Sequence, residues 1–96
     1  MDYRSRMVWQ GYKAIKNTET FRITSKQWRI SWETRPGDLG DFNFQIMTYR
    51  DDGELVGLAA NVIGADTDST IMRGAGDYYL SINTAQPYTI KVEQFQ

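Results

Sequence analysis

Carboxylates and aromatic rings are the side chains with which this sequence could do chemistry, because it contains no histidine and no cysteine. The first absence removes the usual general base near neutral pH and the commonest zinc ligand. The second removes thiolate nucleophiles, disulfides and Cys-based metal sites. Serine and threonine hydroxyls then have no imidazole to activate them, so catalysis is not expected and no cofactor is called for. The acids group in three places: Asp38 and Asp41, Asp51 with Asp52 and Glu54, and Asp66 with Asp68. Calcium takes six to eight oxygens, and two carboxylates with nearby carbonyls could begin such a site, for which Asp66 and Asp68 are the candidates. Aspartate in a turn also caps neighbouring backbone amides. Turn formation, with no structural metal, is the expectation for all three groups. Glycoside hydrolysis needs two carboxyls facing each other across a cleft, and only Glu33 and Glu93 stand away from predicted turns and termini.

Aromatic residues are plentiful: three Trp, six Tyr and four Phe. In "QWRISW", residues 27 to 32, a strand sends Trp28, Ile30 and Trp32 to one face and Arg29, Ser31 and Glu33 to the other, which predicts a core role for both tryptophans. The same parity places Phe42, Phe44, Tyr78 and Tyr88 inward. Tyr49 and Tyr79 fall opposite their core neighbours, and Trp9 and Tyr12 flank Gly11, which confuses the alternation. Trp9, Tyr12, Tyr49 and Tyr79 are therefore the candidate ligand-binding residues, able to stack on a sugar or to anchor a neighbouring domain.

The elements that must position these residues are strands. At 96 residues the chain is one domain, residues 1–96, with residues 1–19 forming a looser N-terminal strand. Period-two alternation recurs in "TFRIT", "WRISW", "DFNFQIMTY", "ELVGLAANVIG", "TIMR", "DYYLSIN" and "YTIKVEQ", while helical spacing is hard to find. "ELVGLAANVIG" puts Val56, Leu58, Ala60 and Val62 on one face. "RPGDLG", "DDG", "ADTDS", "GAG" and "TAQP" read as connections, and "DDG" between two strands is the clearest hairpin signal. "MVWQGYKAI" adds an eighth strand, with Gly11 marking a bulge or bend. Seven or eight short strands, each with one apolar face, predict an all-β, antiparallel β-sandwich of immunoglobulin-like or jelly-roll topology, a barrel being the alternative closure.

Net charge is −1, but residues 1 to 29 sum to +5 and residues 30 to 96 to −6. Pairing of the two halves within one fold is the expectation, against a basic face for an anionic partner. Nucleic acid is not an expected partner, since a domain that binds it is usually net basic. No window approaches the roughly 18 apolar residues of a membrane span, so membrane insertion is not expected. The opening "MDYRSRMVWQ" lacks an apolar stretch of signal-peptide length. A piece of a longer secreted chain and a cytoplasmic start both remain open.

"GAGDYYLSI", residues 74 to 82, resembles the approach to the F strand of immunoglobulin-like domains, where a tyrosine hydroxyl bonds back to the chain. The resemblance makes Tyr78 that tyrosine. Leu80 stands where disulfide-bonded members have cysteine. Over residues 9–94 the order "TETF", "WRISW", "FNFQI", "DDGELV", "GAGDYYLSI", "YTIKVEQ" resembles an uncharacterised β-sandwich module of bacterial and archaeal secreted or membrane-anchored proteins. The final strands are also similar to pre-peptidase C-terminal domains, whose acidic calcium loops do not align here. The resemblance implies an extracytoplasmic setting and no active site. The function expected is a non-catalytic accessory, protein-binding or structural module of a larger extracytoplasmic protein, beside which stands a carbohydrate-binding module using exposed aromatics. Partners are accordingly a protein, a glycan or neighbouring domains of a longer chain.

Overall fold

Alternating sequence becomes strand throughout the computed structural model, which describes residues 2–12, 14–37 and 40–95. Nine strands are found among them: β1 Tyr3–Gly11, β2 Ala14–Asn17, β3 Phe21–Ile23, β4 Gln27–Thr34, β5 Asn43–Arg50, β6 Leu55–Ile63, β7 Asp66–Arg73, β8 Gly76–Thr84 and β9 Tyr88–Phe95. The first sheet has the order β1-β9-β4-β7 and the second β2-β8-β5-β6, with β3 also on β8. All pairings are antiparallel. Because β2 and β3 share one column beside β8, nine strands fill eight positions, four to a sheet. Every connection except β2–β3 and β5–β6 crosses between the sheets, and that order is a jelly roll rather than an immunoglobulin arrangement.

The count exceeds the predicted seven or eight because "MVWQGYKAI" belongs to both sheets. It runs along β9 as far as Gly11 and along β8 from Ala14. Gly11 faces Tyr88, and a Cβ there would come 2.8 Å from the Tyr88 hydroxyl, so only glycine lets the chain change sheets at this point.

Between the sheets lie Trp28, Ile30 and Trp32 of β4, Phe44 and Ile46 of β5, Tyr78, Leu80 and Ile82 of β8, and Ile90 and Val92 of β9, all buried. Trp28 sits 4.7 Å from the Tyr78 ring and 5.8 Å from Phe21. Two buried glutamines close the ends. At the upper end Gln86 accepts from the Phe42 amide and donates to the Thr34 hydroxyl and the Gly64 carbonyl at 2.9 to 3.1 Å, which joins three connections. At the lower end Gln94 bonds both the amide and the hydroxyl of Thr24. Buried polar groups satisfied in this way fix the loops instead of weakening the core.

Three expectations are corrected. Phe42 is 37% exposed, because β5 begins one residue later and Gln86 holds the Phe42 amide in the loop. Val56 and Leu58 do not point inward: their exposures are 37% and 54%, while the consecutive Ala59 and Ala60 are both buried. Register shifts opposite Ile46/Met47 and Thr48/Tyr49 insert an extra residue into β6 at each place, and each bulge reverses the parity that follows. "ADTDS" is not merely a connection, since β7 starts at Asp66.

Candidate functional site: an uncharged sheet edge

On the outer face of the second sheet, Tyr49 of β5 and Tyr79 of β8 are directly opposed. Their rings stack 5.2 Å apart at 13°. Each ring therefore covers one face of the other. The Tyr49 hydroxyl reaches the Met47 sulfur at 3.8 Å. Register then carries the apolar surface onto β6, where Leu55 opposes Tyr49, Leu58 opposes Met47 and Ile63 opposes Asn43. These three side chains are 56%, 54% and 70% exposed.

Strand β6 is the edge of its sheet and has no charged residue and no proline from Leu55 to Ile63. Charges on edge strands normally discourage pairing with other chains, and the other edges have them: Arg4 and Arg6 on β1, Lys16 on β2, Arg22 on β3, Asp66 and Asp68 on β7. Acids stand instead at the two ends of β6. Asp51, Asp52 and Glu54 form the preceding turn, in which Asp52 accepts from the Glu54 amide at 2.9 Å and Gly53 takes φ 92°. Asp66 follows three residues after Ile63.

The predicted aromatic set does not assemble. Trp9 faces inward against Phe21 at 5.8 Å and donates its indole N–H to Glu19 at 3.0 Å, a packing role. Tyr12 is 75% exposed at the upper end, where the chain changes sheets. Only Tyr49 and Tyr79 come together. Of the metal candidates, Asp66 accepts from the Trp32 indole at 3.1 Å and Asp68 from the Ser69 amide at 2.7 Å. No three acidic side chains converge among the described residues. Asp38 lies outside them.

Parity alone missed a shallow concavity of about 390 Å³ on the outer face of the first sheet, lined in part by Arg29, Ser31, Glu33, Asp68 and Lys91. Nothing in the spacing flags it, since it is the polar face of an ordinary alternating strand. Arg29 and Glu33 in it are ion-paired with Glu93 and Arg35, and Asp68 accepts from a backbone amide. Glu93 accepts from Ser31 at 3.0 Å and Arg29 at 3.2 Å. Partial burial pushes the Glu93 carboxyl up, but the Arg29 and Ser31 hydrogen bonds and the charges of Arg29 and Lys91 outweigh it and hold the group below its ordinary value. At the lower end Arg22 and Asp77 form a two-pronged pair at 2.9 and 3.1 Å. The hydrogen bond between them lowers the Asp77 carboxyl and raises the Arg22 guanidinium. These two pairs carry out the expected attraction between the basic first part of the chain and the acidic remainder.

No protein-family model matches this chain, and no curated protein matches it. Among solved structures, one described as "Bacillus endospore appendages form a novel family of disulfide-linked pili" aligns over 99% of this chain and 87% of its own, at 12% identity and a TM-score of 0.47. The likeness is one of overall β architecture.

Proposed function

We propose that this domain is a non-catalytic docking module, a structural piece of a larger extracytoplasmic protein or assembly, that meets a protein partner through the outer face of its second sheet at β6. The observation that carries the reading is the row of solvent-facing Leu55, Leu58 and Ile63 on an uncharged sheet edge beside the stacked Tyr49 and Tyr79. Single exposed leucines are ordinary, but several on one edge strand form the kind of patch that marks an interaction site. The non-catalytic part of the reading is supported by the chain's chemistry, which lacks imidazole and thiol, and by the mutual engagement of Arg29, Ser31 and Glu93. The extracytoplasmic part is supported by the resemblance over residues 9–94. Protein is favoured over sugar because one face of each tyrosine is taken by the other ring and the exposed side chains beside them on β6 are aliphatic.

A photo-cross-linking residue in place of Leu58 is expected to join the domain to a defined protein in its native setting, whereas the same residue in place of Glu33, on the first sheet, is not. Leu55→Asp should abolish the adduct and leave Tm within about 2 °C, the scale of a surface change. Equal yields from both positions would sink the reading. So would a glycan-array signal lost in Tyr49→Ala with no adduct at position 58.

A further inference from the structure

The two edges of the sandwich carry opposite charge. Residues 2–26, which hold β1, β2 and β3, contain six basic and two acidic residues, net +4; residues 51–73, which hold β6, β7 and the turn before them, contain one basic and five acidic, net −4. Part of this is cancelled internally, where Arg22 is held by Asp77 with Asp51 close by. None of the five carboxylates at the second edge forms an ion pair among the described residues, and at the first edge only Arg22 does.

We infer that this chain associates with further copies of itself edge to edge, the basic β1–β3 edge of one copy against the acidic, apolar β6–β7 edge of the next. The inference rests on the docking reading above and names the partner. Strand direction favours it. In a sheet of four antiparallel strands the outermost two run in opposite directions, so a second copy set beside the first by translation brings β7 antiparallel to β1. The same translation brings β6 antiparallel to β2 and β3. Both junctions can then form ordinary ladder hydrogen bonds from backbone groups that an isolated edge leaves without strand partners.

Side chains agree with that placement. Val8 opposes Lys91, which opposes Ser31, which opposes Ser69, so Val8 stands level with Ser69 and diagonal to Ile71 across the junction. Val8 and Ile71 are 50% and 45% exposed, both on the outer face of the first sheet at its opposite edges. At the lower end of the second sheet, Lys26 and Arg22 come to the level of Asp51 and Glu54. A contact that joins two different surfaces does not close on itself, so it adds copies in a row. The principal extents are 39, 30 and 17 Å, and an edge of at most about 39 by 17 Å is smaller than the roughly 800 Å² per partner of a standard interface. The association is accordingly weak and dependent on concentration and salt.

Sedimentation velocity of the whole chain in about 20 mM salt should show a mean mass that climbs with concentration past the dimer, and about 500 mM salt should weaken association at least tenfold. Asp51→Lys with Glu54→Lys blocks the acidic edge, and Arg4→Glu with Lys26→Glu blocks the basic one. None of these four side chains makes a hydrogen bond or ion pair among the described residues. Each double variant alone is expected to stay monomeric, since its two edges then carry the same sign where they meet, while an equimolar mixture associates again, because every junction between the two variants pairs opposite charge. A chain that is monomeric in low salt up to about 1 mM overturns self-association and leaves the docking reading with a different partner. A mixture that fails to associate overturns it too, as does a dimer that survives salt and both charge reversals but dissociates with Leu58→Asp, the mark of a symmetric contact between faces.

Discussion

Trp28 and Trp32 occupy equivalent positions on β4, both buried, but the Trp28 indole N–H has no hydrogen-bond partner while that of Trp32 reaches Asp66. Truncating either to alanine should cost about 3 to 5 kcal/mol, a large part of the stability of a domain this size. Phenylalanine separates them: Trp32→Phe loses the bond to Asp66, about 0.5 to 1.5 kcal/mol beyond the packing change, and Trp28→Phe loses no bond at all. Urea melts of the four variants check this, and an equal cost for the two phenylalanine changes would refute the role given to Asp66. Tyr78 offers a second comparison. Its hydroxyl donates to the Gly74 carbonyl at 2.8 Å, as the corner-tyrosine resemblance implies, although the sheet order is not immunoglobulin-like. Tyr78→Phe should cost about 0.5 to 1.5 kcal/mol and Tyr79→Phe close to nothing, since Tyr79 stacks through its ring alone. At this scale the sequence was legible wherever a strand was regular. Phe42 misled because its parity was right but its residue was already loop, fixed there by a glutamine 44 positions away that no local pattern reveals.

β4, β8 and β9 follow simple alternation because each is regular along its length, and their inward residues could be read directly from spacing. β6 could not. Two bulges reverse its parity, and its one local sign is Gly57, a residue that often marks a bulge without saying which way the next side chain turns. The edge patch was hidden for that reason: the same irregularity that exposes Leu58 makes it look like core. The turn composition of "ADTDS" hides the start of β7, which β4 pairs from Asp66 onward. Since Asp66 and Asp68 lie on a strand and already accept hydrogen bonds, adding a chelator should leave Tm unchanged. A drop of several degrees would make them calcium ligands after all. Acid tests the bond between neighbouring strands β4 and β9. The folded-state Glu93 carboxyl lies below its ordinary value, so its contribution is present above about pH 4.3 and is lost as pH falls through the lower, folded value. Glu93→Gln should therefore flatten the fall of Tm in that window and change little at pH 7 in its slope. An undiminished acid fall in the variant would assign the effect to other carboxylates, Asp77 first among them.

For the molecule as a whole, the expected class was correct while the connectivity was beyond reach, because alternation says which face a residue takes and nothing about which strand lies beside it. Ten-residue spacing of turns fits several sandwiches. The crossing of nearly every connection is instead set by features such as Gly11, where one strand leaves its sheet, and Gln86, which ties three loops together. One consequence is that the chain's two ends meet: Tyr3 pairs with Phe95, and their rings lie 5.1 Å apart. Joining residue 95 to residue 2 with a linker of about four residues should therefore introduce no strain, and the result depends on where the chain is reopened. An opening between Asp52 and Gly53 cuts an exposed turn held by its own local bonds, and that permutant should fold to the same jelly roll. It trades the β5–β6 hairpin for a β9–β1 hairpin, so its refolding rate should change little. An opening between Ala85 and Gln86 frees a buried side chain that holds Phe42, Gly64 and Thr34 in place, and leaves those groups unsatisfied. That permutant should fail to fold or melt far below the first. If the two prove equally stable by circular dichroism and Tm, Gln86 is not the clasp of the upper end, and the three loops must be held by the sheets alone.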